Sequence, residues 1–456
     1  MKDRTNRREF LKQSAFAAAM PTIISSTALG KGNRPAPSER INLGIIGVGG
    51  RGSRLLDSAL QKRGAQVVAV SDCFTSRRKA ALEKINATYT KQKRTKVTAA
   101  KDYADFRKML AREDIDSVVI ATQDHWHVPL SIYAINAGKD VYVEKPLGVS
   151  VDYGFKLRKL VQDKRAILQY GTQQRSDYYF RFGCELVRNG YIGELKSIDA
   201  WASGMRCPGR YLDEYNEFNP LTPPITPPVD LDYDRWIGPA PMKPYTVNRV
   251  TRSGGYHIYD YALGFIAGWG VHPLDIAQWG NNTDDTAPVH YEGTGTIPTG
   301  GLFDTIAEWD VHCKYANGLK MHFMDTITAL PIVKKYHSRA ISDGTTFHGS
   351  EAWVCVSGNG MVCSDMNMRK IKLKDTDTHL YESKDHMGNF IDCSKSRKKP
   401  ISPIETAVQS DLISHLSNAA IRLKRPINWD PKKEQIIGDE KAAKMLNRPM
   451  RAPWKV

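Results

Sequence analysis

The stretch "IIGVGGRG", Ile45 to Gly52, sets Gly47, Gly49 and Gly52 at a G-x-G-x-x-G spacing, directly behind an apolar run and at the start of an amphipathic one. In a strand-turn-helix context this spacing suits a dinucleotide. Glycine lets the turn tighten and the backbone approach a pyrophosphate, whose charge the helix N-terminus stabilises. Gly50 and Arg51 lie in the same turn and are expected to line the same ligand. Asp72 ends the next apolar run, where a carboxylate accepts hydrogen bonds from a ribose diol and repels a 2′-phosphate, favouring NAD over NADP as cofactor. The pair His125-x-His127 has a spacing that binds metal when both side chains share a strand face. Here the segment passes from strand to helix and no third ligand is evident, so no metal is expected.

The elements that would hold these residues can be read from periodicity. Apolar runs "INLGII", "QVVAVS", "DSVVIAT", "DVYVEK" and "AILQYG" alternate with amphipathic stretches at 51–63, 75–86, 127–137 and 151–164. Such alternation predicts a parallel sheet covered on both faces, a doubly wound Rossmann domain over 41–170. From about 194 the texture changes to runs such as "GELKSIDAWAS", "AEWDVHCKYA" and "LKMHFMDTI" with glycine turns. This predicts a mostly antiparallel sheet in an α+β domain over 171–456, closed by helix from 403. Between the two, 205–256 is rich in Pro, Tyr and Asp and is expected to form a lid or substrate rim.

At 456 residues the chain is long for one hydrophobic core and suits two domains. The formal charge of +16 is dispersed, and the densest basic runs, "KQKRTK" and "KSRKKP", lack interleaved aromatics, so no nucleic-acid partner is expected. Seven cysteines show no zinc-like spacing. Cys355 and Cys363 flank the turn of "VCVSGNGMVC" symmetrically, and in an oxidising compartment they are candidates to pair across it. At the N-terminus, Lys2, Arg4, Arg7, Arg8 and Lys12 precede an uncharged stretch too short and polar for a membrane span. "RREFLK" resembles the twin-arginine signal, which predicts an export signal over 1–30, a polar linker over 31–40 and a periplasmic or otherwise exported protein.

"ATQDHWHVPLSIYAINAGKDVYVEKP", the continuation "LGVSVDYG" and "WGVHPLDIAQWG" at 269–280 resemble the Gfo/Idh/MocA family, which includes glucose-fructose oxidoreductase and inositol dehydrogenase. The resemblance runs from about 41 to the end. It implies a Rossmann domain followed by an open-faced sheet domain, a tightly held nicotinamide cofactor and a sugar-like hydroxyl as substrate. It also implies that Lys145 of "EKP" handles a proton near the nicotinamide, with Glu144 beside it and a cis bond before Pro146. A lysine beside a cationic ring has its pKa lowered and can take a hydroxyl proton. His272 matches the family's histidine of the second domain, and Asp275 follows on the same helical face. Thr122 and Asp124 fall where the family contacts its cofactor, His127 falls where it has a recurrent histidine and is expected on the cofactor side too, and Arg175 matches an arginine that meets substrate oxygen or forms a structural ion pair. The family often has Asp four residues before that histidine; here the position is Gly268, for which Asp260, Tyr261 or Tyr259 are candidate substitutes. Relatives assemble through the open sheet face, so a homo-oligomer is expected.

An exported protein meets no evident pool of free nicotinamide cofactor, so it would fold around NAD before export and keep it. A captive cofactor must be regenerated in place. The expected activity is therefore an NAD-dependent oxidoreductase acting on a hydroxyl of a sugar, glycoside or polyol. The alternatives are an NAD-dependent glycoside hydrolase working by oxidation, elimination and reduction, or a non-catalytic sugar-binding relative.

Overall fold

The apolar runs of the first third become strands β1 (Ile41–Ile46), β2 (Ala65–Ser71), β4 (Ser117–Ile120), β5 (Asp140–Val143) and β6 (Leu168–Tyr170), with a short β3 (Lys101–Tyr103) beside β2. In this computed structural model the described residues are 39–94, 99–205, 221–340 and 342–456. The expected export signal, nearly all of the linker and positions 206–220 of the expected rim lie outside them. All six strands run parallel in the order β3-β2-β1-β4-β5-β6. Helices α1 (Gly50–Gln61), α2 (Thr75–Lys91), α3 (Phe106–Leu110), α4 (Asp124–Asn136) and α5 (Val151–Lys164) connect them. β2, β4, β5 and β6 are buried at every residue, as a sheet covered on both faces requires. The strand order reverses between β1 and β4, and ligands of open α/β sheets bind in the crevice beyond such a switch point.

The remaining strands are β7 (Leu195–Ala202), β8 (His290–Thr296), β9 (Glu308–Lys314), β10 (Lys320–Asp325), β11 (Gly344–Gly349), β12 (Trp353–Ser357), β13 (Gly360–Cys363), β14 (Ile427–Asp430) and β15 (Gln435–Ile436). They form a second sheet in the order β13-β12-β11-β7-β10-β9-β8-β14-β15, antiparallel apart from the β7/β10 pair. Burial alternates residue by residue along β9, the mark of a sheet with one dry and one wet face. The dry face packs under α6 (Tyr178–Arg188), α7 (Val271–Gly280) and, after α8 (Thr326–Val333) and α9 (His386–Ser396), under α10 (Ile404–Leu423). Among the described residues no helix is long and apolar enough to cross a membrane.

The last helices also complete the first sheet. α9 contacts α1 and β1 and adds Met387, Phe390 and Ile391 to the apolar cluster built on Leu43 and Ile45. α10 contacts α5 and β6 and adds Ile404, Ala407 and Val408 to the opposite cluster. Burying each such Phe or Ile contributes about 1.5–3 kcal/mol. The Rossmann sheet therefore depends on the end of the chain for part of its core.

One expectation is corrected by register. The β12/β13 hairpin forms, but Cys355 faces Val362 while Cys363 faces Val354. Successive strand residues point to opposite faces, so the thiols lie on opposite sides of the sheet, and both are free.

Candidate active site at the sheet switch point

The glycine turn lies where β1 meets α1. Gly47 has φ 83°, and its N–H donates to the Ser71 carbonyl at 2.8 Å. A Cβ there would stand 2.5 Å from the Ala121 carbonyl oxygen, so only glycine lets the turn lie against the end of β4. A Cβ at Gly52 would stand 1.9 Å from the Gly47 carbonyl oxygen. Gly52 thus serves close packing of α1 on the turn and does not line the cavity. At Gly50 a Cβ would meet nothing within 4 Å, and no side chain caps the N-terminus of α1. These are the features of a cradle for an anionic diphosphate. Asp72 accepts hydrogen bonds from the Val48 and Phe74 N–H groups at 2.8 and 2.9 Å, while burial pushes its carboxyl up.

A cavity of about 620 Å³ opens over this turn. Gly47, Gly49, Gly50, Arg51, Asp72, Thr122, Asp124, Glu144, Lys145 and His272, all expected site residues, line it. The described part of the expected rim contributes Arg235, Trp236 and the stretch Val250–Arg252. A cavity with a glycine cradle at one end, an acid at the end of β2 and titratable groups at the other fits a dinucleotide with room for a small substrate.

Lys145 follows β5 and precedes Pro146 through a cis peptide bond. Its amine donates to the Gly268 carbonyl oxygen and lies 5.1 Å from the centre of the Trp269 ring. Gly268, where the resemblance implies Asp, thus meets the lysine through its backbone. Burial lowers the Lys145 pKa, against the pull of Glu144 and Asp124. Burial also holds the Asp124 carboxyl well above its ordinary range, with Lys145 opposing, and leaves Oδ2 with no hydrogen-bond partner. His272 is held well below its ordinary range by burial and by the Lys145 charge, and its Nδ1 likewise has no partner. Asp124 and His272, each with a buried polar atom lacking a partner, thus share the cavity lining with Lys145, whose charge acts on both.

Glu144 is fixed by Arg51 at 2.8 Å and by the Gln173 amide at 2.9 Å, which also donates to the Tyr142 hydroxyl at 2.7 Å. Gln173 and Trp269, both lining the cavity, were missed by sequence reasoning; each is a close neighbour of a flagged residue, Arg175 and His272, and this adjacency was the available signal. His127 is buried away from the cavity, with Nδ1 2.7 Å from the Pro146 carbonyl oxygen and Nε2 3.2 Å from that of Thr122. It ties the turn after β4 to the segment at Pro146 and does not line the cavity.

Three of the flagged residues lie away from the cavity, and for Arg175 the ion-pair alternative is the one that forms. Arg175 and Asp275 are buried together, with Arg175 Nε 2.7 Å from Asp275 Oδ2 and Asp284 closing the other side at 2.6 Å. Neither lines the cavity, and the pair joins the turn before α6 to α7. Tyr261 is wholly buried, packed on Trp236 and accepting from Arg249 at 3.1 Å. Nor does Tyr259 or Asp260 reach the cavity, so none of the candidate substitutes for the missing Asp meets Lys145. Tyr259 is instead clasped by Arg422 and Arg448, each 3.7 Å from its ring centre.

Residues 41–172 match the family described as "Oxidoreductase family, NAD-binding Rossmann fold", and residues 218–456 the one described as "Oxidoreductase family, C-terminal alpha/beta domain". An alpha-N-acetylgalactosaminidase of Shewanella oneidensis is 33% identical over 210 residues, 42% of this chain and 44% of that protein. A glycosyl hydrolase family 109 protein of Solibacter usitatus is 28% identical over 202 residues, with the same shares. The chain thus spans less than half the length of these curated relatives. Among solved structures, a myo-inositol 2-dehydrogenase of Lactobacillus plantarum superposes with a TM-score of 0.57 at 17% identity, over 85% of this chain and 99% of that one. The WlbA dehydrogenase of Bordetella pertussis, in complex with NADH and UDP-GlcNAcA, gives 0.59 at 15%, over 86% and 99%. At such identities the likeness shows the fold.

Proposed function

The chain belongs to the Gfo/Idh/MocA oxidoreductase family, and from that premise we propose that it is an NAD-dependent oxidoreductase acting on a hydroxyl of a sugar, glycoside or polyol. The observation that carries the reading is the meeting of Lys145, His272 and Asp124 in the cavity that the glycine turn opens. Bound there, NAD supplies the hydride acceptor for a carbinol carbon. Gly47, Gly49 and Gly50 would bring backbone to the diphosphate, and Asp72 would take the adenosine ribose, which would favour NAD over NADP. Lys145, held by the Gly268 carbonyl, takes the hydroxyl proton in its neutral form, which burial favours. His272, neutral for the same reason, orients the hydroxyl by hydrogen bonding, and Asp124 receives or returns the proton of Lys145.

A second reading, redox-neutral glycoside hydrolysis, is favoured by the likeness to the glycosidases above. The "EKP" motif supports net oxidoreduction in preference. Native mass spectrometry of the purified protein, expected to show retained NAD, comes first; a cleanly apo protein without nucleotide affinity overturns both. Sugars and polyols are then expected to generate the ultraviolet absorbance of reduced nicotinamide. Release of aglycone from glycosides without that signal would select the hydrolase, and tight sugar binding with neither would select a binding protein. We further propose that the chain is exported by the twin-arginine route with its cofactor already in place, and that it assembles as a homo-oligomer.

The cradle makes its own prediction. In Gly52→Ala the new methyl meets the Gly47 carbonyl and displaces the turn, so NAD affinity falls about tenfold or more, corresponding to at least ~1.4 kcal/mol. Fluorescence titration of NAD against the variant measures it, and unchanged affinity would separate the turn from cofactor binding.

A further inference from the structure

We propose that the wet face of the second sheet carries a binding site for a divalent transition metal, formed by Asp310, His312 and His322. Register creates it. β9 and β10 pair antiparallel with His312 directly opposite His322, and Asp310 is two residues from His312 on the same face. The imidazoles lie nearly parallel, ring centres 4.3 Å apart at 18°. His322 Nε2 is 2.6 Å from Asp310 Oδ1, and His312 Nε2 is 3.7 Å from the same oxygen. One ligand atom from each residue lies within 4.8 Å of the other two.

A simple hydrogen bond accounts for His322 and Asp310, while the exposed His312 ring, 68% accessible, stacks on His322 with its Nε2 turned to the same Asp310 oxygen. A metal between the three engages all of them with small side-chain rotations. Two imidazoles and one carboxylate suit Zn²⁺, Cu²⁺, Ni²⁺ or Co²⁺ over Mg²⁺ or Ca²⁺, and three protein ligands leave positions open for water. Glu292, opposite His312 on β8, adds negative charge, whereas Lys314 and Lys320 lie two residues further along the face and oppose it. The site lies across the sheet from α7, which carries His272, so its occupancy pins β9 to β10 without touching the active site.

The full-length protein, stripped with chelator and dialysed, is to be titrated with Co²⁺ by visible spectroscopy and with Zn²⁺ by calorimetry. One equivalent per chain is expected, insensitive to excess Mg²⁺. Because an outer-shell change typically weakens a metal site roughly 10–100-fold, loss of a ligand in His312→Ala or Asp310→Asn should weaken it at least as much. Both side chains are exposed enough for these variants to fold, which circular dichroism checks. His348→Ala, on the same face but bonded to Asp199 at 2.9 Å, should bind as the wild type does. Absence of binding in the wild type, unchanged binding in both ligand variants, or equal loss in His348→Ala would each overturn the proposal.

Discussion

Lys145→Met should keep NAD bound and lower kcat by about 10²–10⁴-fold, the usual worth of a positioned general base. Methionine fills the volume of the lysine stem, so the change removes the amine while sparing the packing under Trp269. KM should move little, because the glycine cradle and the rim do not depend on the amine. The wild-type pH profile gives an independent reading. A protonated lysine cannot accept a proton, so kcat/KM falls as pH drops through the Lys145 pKa. Burial lowers that pKa, so the acid limb should lie below the ordinary lysine range. His272 is held neutral far into acid. His272→Asn should therefore reduce the rate yet leave the limb in place, whereas Lys145→Arg should abolish it. A Lys145→Met enzyme turning over close to the wild-type rate would remove the lysine from the reaction.

The elements nearest the glycine turn were legible because their causes are local. Alternating apolar runs and amphipathic stretches specify strand and helix within a few residues, and the turn before α1 needs glycine for reasons a Cβ alone decides. β3 escaped notice because its three residues, Lys-Asp-Tyr, are exposed or half-buried and carry no apolar signal. The role of α9 in the first core escaped because no local pattern records which distant face a helix will cover. Gly268 shows the same limit at the site. Its side chain is absent, so a comparison of residue types reads a lost carboxylate, although the backbone there supplies an oxygen that Lys145 reaches. Asp310, His312 and His322 are unremarkable in sequence, since only the β9/β10 register brings them together.

Sequence left Arg175 open between a substrate contact and a structural ion pair for a related reason: charged residues are expected at surfaces or at ligands, and here the fold encloses both Arg175 and Asp275. Arg175→Met should cost about 3–5 kcal/mol of stability by leaving Asp275 unpaired in a site where its side chain is 1% exposed. Burial already pushes the Asp275 carboxyl up and Arg175 is its principal counterweight, so the variant is expected to hold that carboxyl protonated. Asp284, one-third exposed, can turn to water, which leaves Asp275 as the main source of the loss. The urea midpoint measures the effect. Adding Asp275→Leu should recover much of it, because replacing both partners of a buried pair by apolar groups leaves no buried carboxyl, ionised or protonated, without its partner. A substrate-binding arginine would behave in the opposite way, raising KM with the midpoint unchanged and gaining nothing from the second substitution. The double variant therefore decides between a joint that holds α7, and with it His272, against the turn before α6, and a contact made to the sugar itself.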